Sequence, residues 1–277
     1  MIKIGWIKFW SLNNYKLRKL ENSLLNIRLP GVCFVLPPDG FFSIASCSFH
    51  KDCGNFKKVL FVNLKTYQQG TGVDAINLVR ILESVAHEAQ VKIIPVVQAS
   101  DVREISSFSK LEIWVQHVDW VEYGAHTGFI LPEAVFEDGA IGTFLNHSEH
   151  KFKDFKELEK AHQRATNVGL KTLVFAADLE ELRKLIYLKP TYIAYEPPDL
   201  IGSKTISVAQ AKLEIINKVV KITNLHDVPF IVGAGIRSAQ DVRKSLGSGA
   251  VGVAVSSDVV TAKDPRKEIL DLVEGFR

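Results

Sequence analysis

From Lys58 onward the chain repeats one pattern, a short apolar run followed by apolar residues at helical spacing. The runs are Val59–Val62, Val91–Val97, Leu111–Val115, Ala140–Leu145, Lys171–Ala176, Thr191–Tyr195, Val228–Val232 and Ala250–Val255. Each is continuous rather than alternating, as strands buried on both faces are. Between them, sets such as Ala75, Ile76, Val79, Leu82 and Ala86, or Phe155, Leu158, Ala161, Ala165 and Val168, recur with the helical period. A helix from Val208 through Ile222 and one from Ala239 to Gly247 follow the same rule. Pro132 suits a helix's first turn, Gly169 a helix's end, and Asp264-Pro265 an N-cap and first position for a last helix through Phe276. Eight strand–helix units in about 220 residues predict an α/β fold of the closed (β/α)8 barrel type. An open doubly wound sheet is the runner-up. It usually announces a dinucleotide fingerprint after its first strand, and Asn63-Leu-Lys-Thr66 is not one.

The first 56 residues read differently. Residues 1–58 carry nine Lys/Arg against three Asp/Glu, and the remainder 25 against 28. The body is therefore mildly acidic, which argues against a nucleic-acid partner. Trp6, Phe9, Trp10, Leu17, Leu20 and Leu24 fall roughly on one helical face among basic residues. That pattern would serve a membrane surface or a partner, but a disordered terminal extension is the expectation. The chain's one methionine is Met1, consistent with residues 1–56 being an extension from a misplaced start and residues 57–277 the working domain. Cys33, Cys47 and Cys53 match no metal spacing, and an odd count opposes a disulfide framework, so a reduced cytoplasm is expected. The apolar stretch Val32 to Ala45 is broken by Pro37-Pro38-Asp39-Gly40, and no signal peptide or membrane span is expected.

In such a barrel the chemistry collects at strand C-terminal ends. There the chain places Asn63 and Lys65, then Asn146-His-Ser-Glu149, then Glu196, then Gly233-Ala-Gly-Ile236, then Ser256-Ser257. Glu196, followed at once by Pro197-Pro198, can act as a general base, and the His147 imidazole can polarise a carbonyl. Lys65 can hold an anionic substrate and offset developing negative charge. The Gly-Ala-Gly and Ser-Ser turns, each entering a helix, can offer backbone N–H groups to a phosphate.

Asn63-x-Lys65, Asn146-His-Ser-Glu149, Tyr195-Glu-Pro-Pro-Asp-Leu-Ile-Gly202 and Gly233-Ala-Gly-Ile236 together resemble the triosephosphate isomerase family. His126-Thr-Gly128, Leu131-Pro-Glu-Ala134 and Lys263-Asp-Pro265 add a resemblance to its compact archaeal type. The resemblance spans roughly Lys57 to Arg277 and implies a TIM barrel. It implies interconversion of dihydroxyacetone phosphate and glyceraldehyde 3-phosphate, in glycolysis and gluconeogenesis, with no cofactor and no metal. It implies Glu196 as the proton carrier and a neutral His147, its pKa depressed by a helix N-terminus. Lys65 would be the electrostatic partner, Asn63 a substrate-positioning group, and Glu149 the ion-pair partner of Lys65. Ile201, Gly202, Gly235, Ser256 and Ser257 would surround the phosphate, under a lid from Pro197 to about Thr205. A homodimer or homotetramer is also implied.

The chain departs from the family at three places. Ser203-Lys204-Thr205 replaces the usual Thr-Gly after Ile201-Gly202, Ser256 replaces an alanine, and Asp258 replaces a glycine, putting a carboxylate near the expected phosphate. Another phosphate-binding barrel acting on a different sugar phosphate, or a degenerate barrel that binds without catalysis, are the alternative readings.

Overall fold

The computed structural model describes residues Val32–Val35, Ser43–Ser46, Lys58–Glu196 and Leu213–Arg277. Contacts divide the chain into Met1–Asn55 and Phe56–Arg277. In the first unit Val32–Val35 pairs antiparallel with Ser43–Ser46, Val32 opposite Ser46. The expected basic amphipathic face between Trp6 and Leu24 lies outside the described residues.

The second unit is a closed barrel of eight parallel strands. These are β1 (Val59–Asn63), β2 (Lys92–Val97), β3 (Trp114–Val115), β4 (Gly142–Leu145), β5 (Lys171–Ala176), β6 (Tyr192–Tyr195), β7 (Phe230–Val232) and β8 (Gly252–Val255). Each strand pairs with the next in sequence, and β8 closes on β1 with Gly252 opposite Val59. The helices are α1 (Gly72–Ala89), α2 (Val102–Phe108), α3 (Pro132–Glu137), α4 (Phe155–Asn167), α5 (Leu179–Leu185), α6 (Leu213–Leu225), α7 (Ala239–Gly247), α8 (Ser257–Val260) and α9 (Pro265–Glu274). All eight expected strands are present. Residues 208–212, expected to begin α6, lie outside the described residues, and α9 stops two residues before Phe276. Gly275 follows it directly, where an added Cβ would lie 2.6 Å from Ala239 O, so the chain turns in close contact with α7.

Strand alternation sorts the core into two layers. Phe61, Ile94, Val96, Trp114, Phe144, Leu173 and Phe175 fill the barrel interior. Leu60, Val62, Val97, Leu145 and Val174 face outward into the helix layer with Leu82, Ile105, Ala161 and Leu182. The interior is aromatic: Phe61 meets Trp114 edge-on at 5.0 Å and Phe144 meets Phe175 at 4.9 Å, a favoured ring geometry. Gly142 makes this possible, since a Cβ there would stand 2.4 Å from the Trp114 ring. Helix starts are fixed locally. Asp154 accepts from Glu157 N–H, Asp178 from Glu180 and Glu181 N–H, and Asp264 from Lys267 N–H, with Pro265 at the first turn. Among the described residues no helix is long and apolar enough to cross a membrane.

Candidate active site

At the C-terminal end of β1 the backbone departs from the strand. Lys65 adopts φ +47°, a left-handed conformation that costs a lysine of order 1 kcal/mol or more unless its surroundings hold it. They do. Its N–H donates to Asn63 Oδ1 at 3.0 Å, and its carbonyl accepts from Gln116 Nε2 at 2.8 Å. The Lys65 ammonium donates to Glu149 Oε1 at 2.6 Å.

The end of β4 is built in the same way. Asn146, at φ +61°, donates from Nδ2 to Phe175 O at 3.0 Å and to Glu181 Oε1 at 2.8 Å. This turns the following residue, His147, inward, where its ring lies edge-on to Phe175 at 4.8 Å. Glu149 N–H donates to His147 Nδ1 at 3.2 Å. A nitrogen that accepts cannot carry the proton, so a neutral ring bears its hydrogen on Nε2. That atom is 3.6 Å from Glu196 Oε2. Glu196 follows β6, is buried, and accepts from Ser148 Oγ at 3.0 Å.

Electrostatics push the two titrating groups in opposite directions. Burial raises the Glu196 carboxyl to about 7, against smaller lowering effects of the Ser148 hydrogen bond and the Lys65 charge. Burial lowers His147 to about 4, with the Lys65 charge acting in the same direction and Glu149 opposing it. A depressed His147 pKa is expected, and burial is its leading cause. The close His147–Glu196 contact is thus not an ion pair near neutrality, because the imidazole is uncharged.

A cavity of about 300 Å³ joins these groups. Asn63, Lys65, His147, Glu149 and Glu196 line it, together with Gly235, Ser256 and Ser257 from the ends of β7 and β8. Gly235 has φ +72°, and the N–H groups of Gly235, Ser256 and Ser257 donate to no backbone carbonyl among the described residues. Ser256 Oγ donates to Asn63 O at 2.8 Å, tying the end of β8 to that of β1. Ile201, Gly202 and the Ser203-Lys204-Thr205 departure lie outside the described residues. Three contributors escaped the sequence reading: Gln116, Ser148 and Arg237. Gln116 directly follows β3, so reading every strand end would have found it. Ser148 lies between His147 and Glu149 at the end of β4, and Arg237 is one residue beyond the Gly233–Ile236 turn.

A carboxylate, a neutral imidazole and a lysine around one cavity, beside turns that present N–H groups, define a barrel of the sugar-phosphate isomerase class. The profile of the triosephosphate isomerase family matches residues 58–275. Triosephosphate isomerase of Methanobacterium bryantii is 38% identical over 217 residues, covering 78% of this chain and 95% of that one. The Thermoplasma volcanium enzyme of the same name is 38% identical over 215 residues, covering 78% and 99%. In fold, the crystal structure of triosephosphate isomerase from Bartonella henselae is similar with a TM-score of 0.63 at 17% identity, covering 80% of this chain and 99% of that one. The chain belongs to the triosephosphate isomerase family.

Proposed function

We propose that this chain interconverts dihydroxyacetone phosphate and glyceraldehyde 3-phosphate by proton transfer through an enediolate, with Glu196 as the base. The observation that carries the reading is the meeting of a buried carboxyl and a buried imidazole 3.6 Å apart in one cavity with Lys65, where burial pushes the carboxyl up and the imidazole down. A desolvated carboxylate is a stronger base than one in water. Glu196 takes a proton from the carbon beside the carbonyl and returns it to the neighbouring carbon. The electron pair left by that C–H bond forms the enediolate, and the charge moves onto the carbonyl oxygen. His147 Nε2–H donates to that oxygen and passes its proton there, the ring recovering a proton from the hydroxyl on the neighbouring carbon. The carbonyl thus re-forms on the other oxygen as Glu196 returns the carbon proton, and the fixed Lys65 ammonium offsets the negative charge. Asn63, whose side chain braces the Lys65 backbone, also positions substrate. Gly235, Ser256 and Ser257 supply N–H groups to the phosphate, and Glu149 holds Lys65 in place. No cofactor or metal enters these steps.

The family resemblance further supports a homodimer or homotetramer and a role in glycolysis and gluconeogenesis. Three cysteines without a framework spacing support the cytoplasm. A coupled isomerase assay on the full chain tests the reading. Glu196→Asp keeps the charge but withdraws it by a methylene, and such misplacement costs about 100-fold or more in turnover with the circular dichroism unchanged. Undiminished turnover would remove Glu196 from its role.

A further inference from the structure

We propose that Arg237 is a further substrate-binding residue, its guanidinium gripping the substrate phosphate, with Asp258 as one of the groups beside it while the site is empty. The inference rests on the isomerase reading and adds a charged contact to it.

Arg237 follows the turn after β7, and Asp258 is the second residue of α8, after β8. Strands β7 and β8 are neighbours, Val232 opposite Val253, so the two ends lie side by side. Arg237 Nε stands 3.5 Å from Asp258 Oδ2. Both residues line the same cavity as Gly235, Ser256 and Ser257. The arginine's backbone is pinned: its N–H donates to Asp241 Oδ2 at 3.3 Å, and the same oxygen accepts from Ser238 Oγ at 2.9 Å. The side chain therefore springs from a fixed point on the cavity wall.

Charge decides what the pair does. A bare Asp258 at this place would repel a phosphate dianion, and backbone N–H groups alone offset it only with partial charges. Arg237 cancels that repulsion and offers a planar fork suited to phosphate oxygens. The carboxylate's hold is weak, because its side chain is 49% exposed and the contact is long, and such pairs are largely screened by water. A dianion with three strong acceptor oxygens competes with Asp258 for the guanidinium. Lys65 stands differently, engaged with Glu149 at 2.6 Å beside the reacting carbons.

The test uses the full chain and three variants, reading kcat, KM and competitive inhibition by inorganic phosphate. Arg237→Gln raises KM and the inhibition constant of inorganic phosphate together, about tenfold for a partly exposed charge-assisted contact, while kcat falls far less. Arg237→Lys recovers part of that loss, because charge is kept and the fork is lost. Asp258→Asn lowers both constants about two- to fivefold, as expected when one screened like charge is removed. A purely structural role would change the urea midpoint and leave both constants alone. Unchanged constants in Arg237→Gln, or weaker phosphate binding in Asp258→Asn, would overturn the proposal. A wild-type chain that binds inorganic phosphate without turnover would instead sink the isomerase reading, so the two failures are distinguishable.

Discussion

Replacing Glu196 by glutamine should stabilise the protein, and by an amount that depends on pH. Glu196 is 6% exposed, and its carboxyl is raised from the ordinary 4.5 to about 7, chiefly by burial. A carboxyl raised on folding binds protons more tightly in the native state, so its contribution to stability falls as pH rises from its unfolded value through its folded one. At pH 8 it is ionised in both states, and the native state bears a cost of about 3 kcal/mol, from 1.36 kcal/mol for each pH unit of separation. At pH 5 the native carboxyl is protonated and the cost is only about 1 kcal/mol by the same relation. Glutamine, neutral at both values, keeps an oxygen that can accept from Ser148 Oγ. Urea unfolding reads the difference. With a slope of about 3 kcal/mol per molar, the variant's midpoint should rise by about 1 M at pH 8 and about 0.3 M at pH 5. Activity should vanish while stability rises, because the desolvation that makes Glu196 a strong base is the same one that destabilises it. Lys65, whose charge acts the other way, is the competitor. An equal shift at both pH values, or a less stable variant at pH 8, would show that the lysine dominates and that burial does not set the carboxyl's basicity.

Three further changes probe neighbouring parts. Ser148→Ala removes a hydrogen bond that lowers the Glu196 pKa, so the acidic limb of the kcat/KM profile should move to higher pH. More activity should be lost at pH 6 than at pH 9, and a uniform loss would assign Ser148 to scaffolding. Ser256→Ala restores the residue usual in the family but cuts the 2.8 Å bond to Asn63 O. It should cost about 1 kcal/mol of stability with a small rise in KM, and an unchanged urea midpoint would contradict that link. Gly142→Ala would drive a Cβ to 2.4 Å from the fully buried Trp114 ring, and overpacking of this kind costs about 3 kcal/mol or more. Wild-type stability would mean that the ring can move.

The barrel was legible because both-face burial makes each strand a continuous apolar run, and caps such as Asp264-Pro265 mark helix starts from local chemistry alone. The site was legible by the strand-end rule, which brought Asn63, Lys65, His147 and Glu196 forward before any geometry. What stayed hidden depends on closure and register. Nothing local says that Lys65 sits at φ +47° or that Gln116, 51 residues away, braces its carbonyl. Asp258 read as an intruder near the phosphate because its partner, Arg237, lies on another strand's turn and meets it only once β7 and β8 are side by side. The burial that lowers the His147 pKa was hidden for a related reason. Burial is a property of the assembled mouth, whereas a helix start is a property of nearby sequence.

The central claim is that Glu196 moves a proton between two adjacent carbons of a triose phosphate. The most direct measurement is proton NMR of the product formed from glyceraldehyde 3-phosphate in deuterium oxide by the full chain and by Glu196→Gln. The wild-type chain should form dihydroxyacetone phosphate carrying solvent deuterium at the carbon that received the proton, in proportion to exchange on the base. The glutamine variant, folded and able to bind inorganic phosphate, should form none above the uncatalysed rate. Isomerisation by the variant at an undiminished rate, or a folded wild-type chain that leaves the substrate unchanged, would contradict the account.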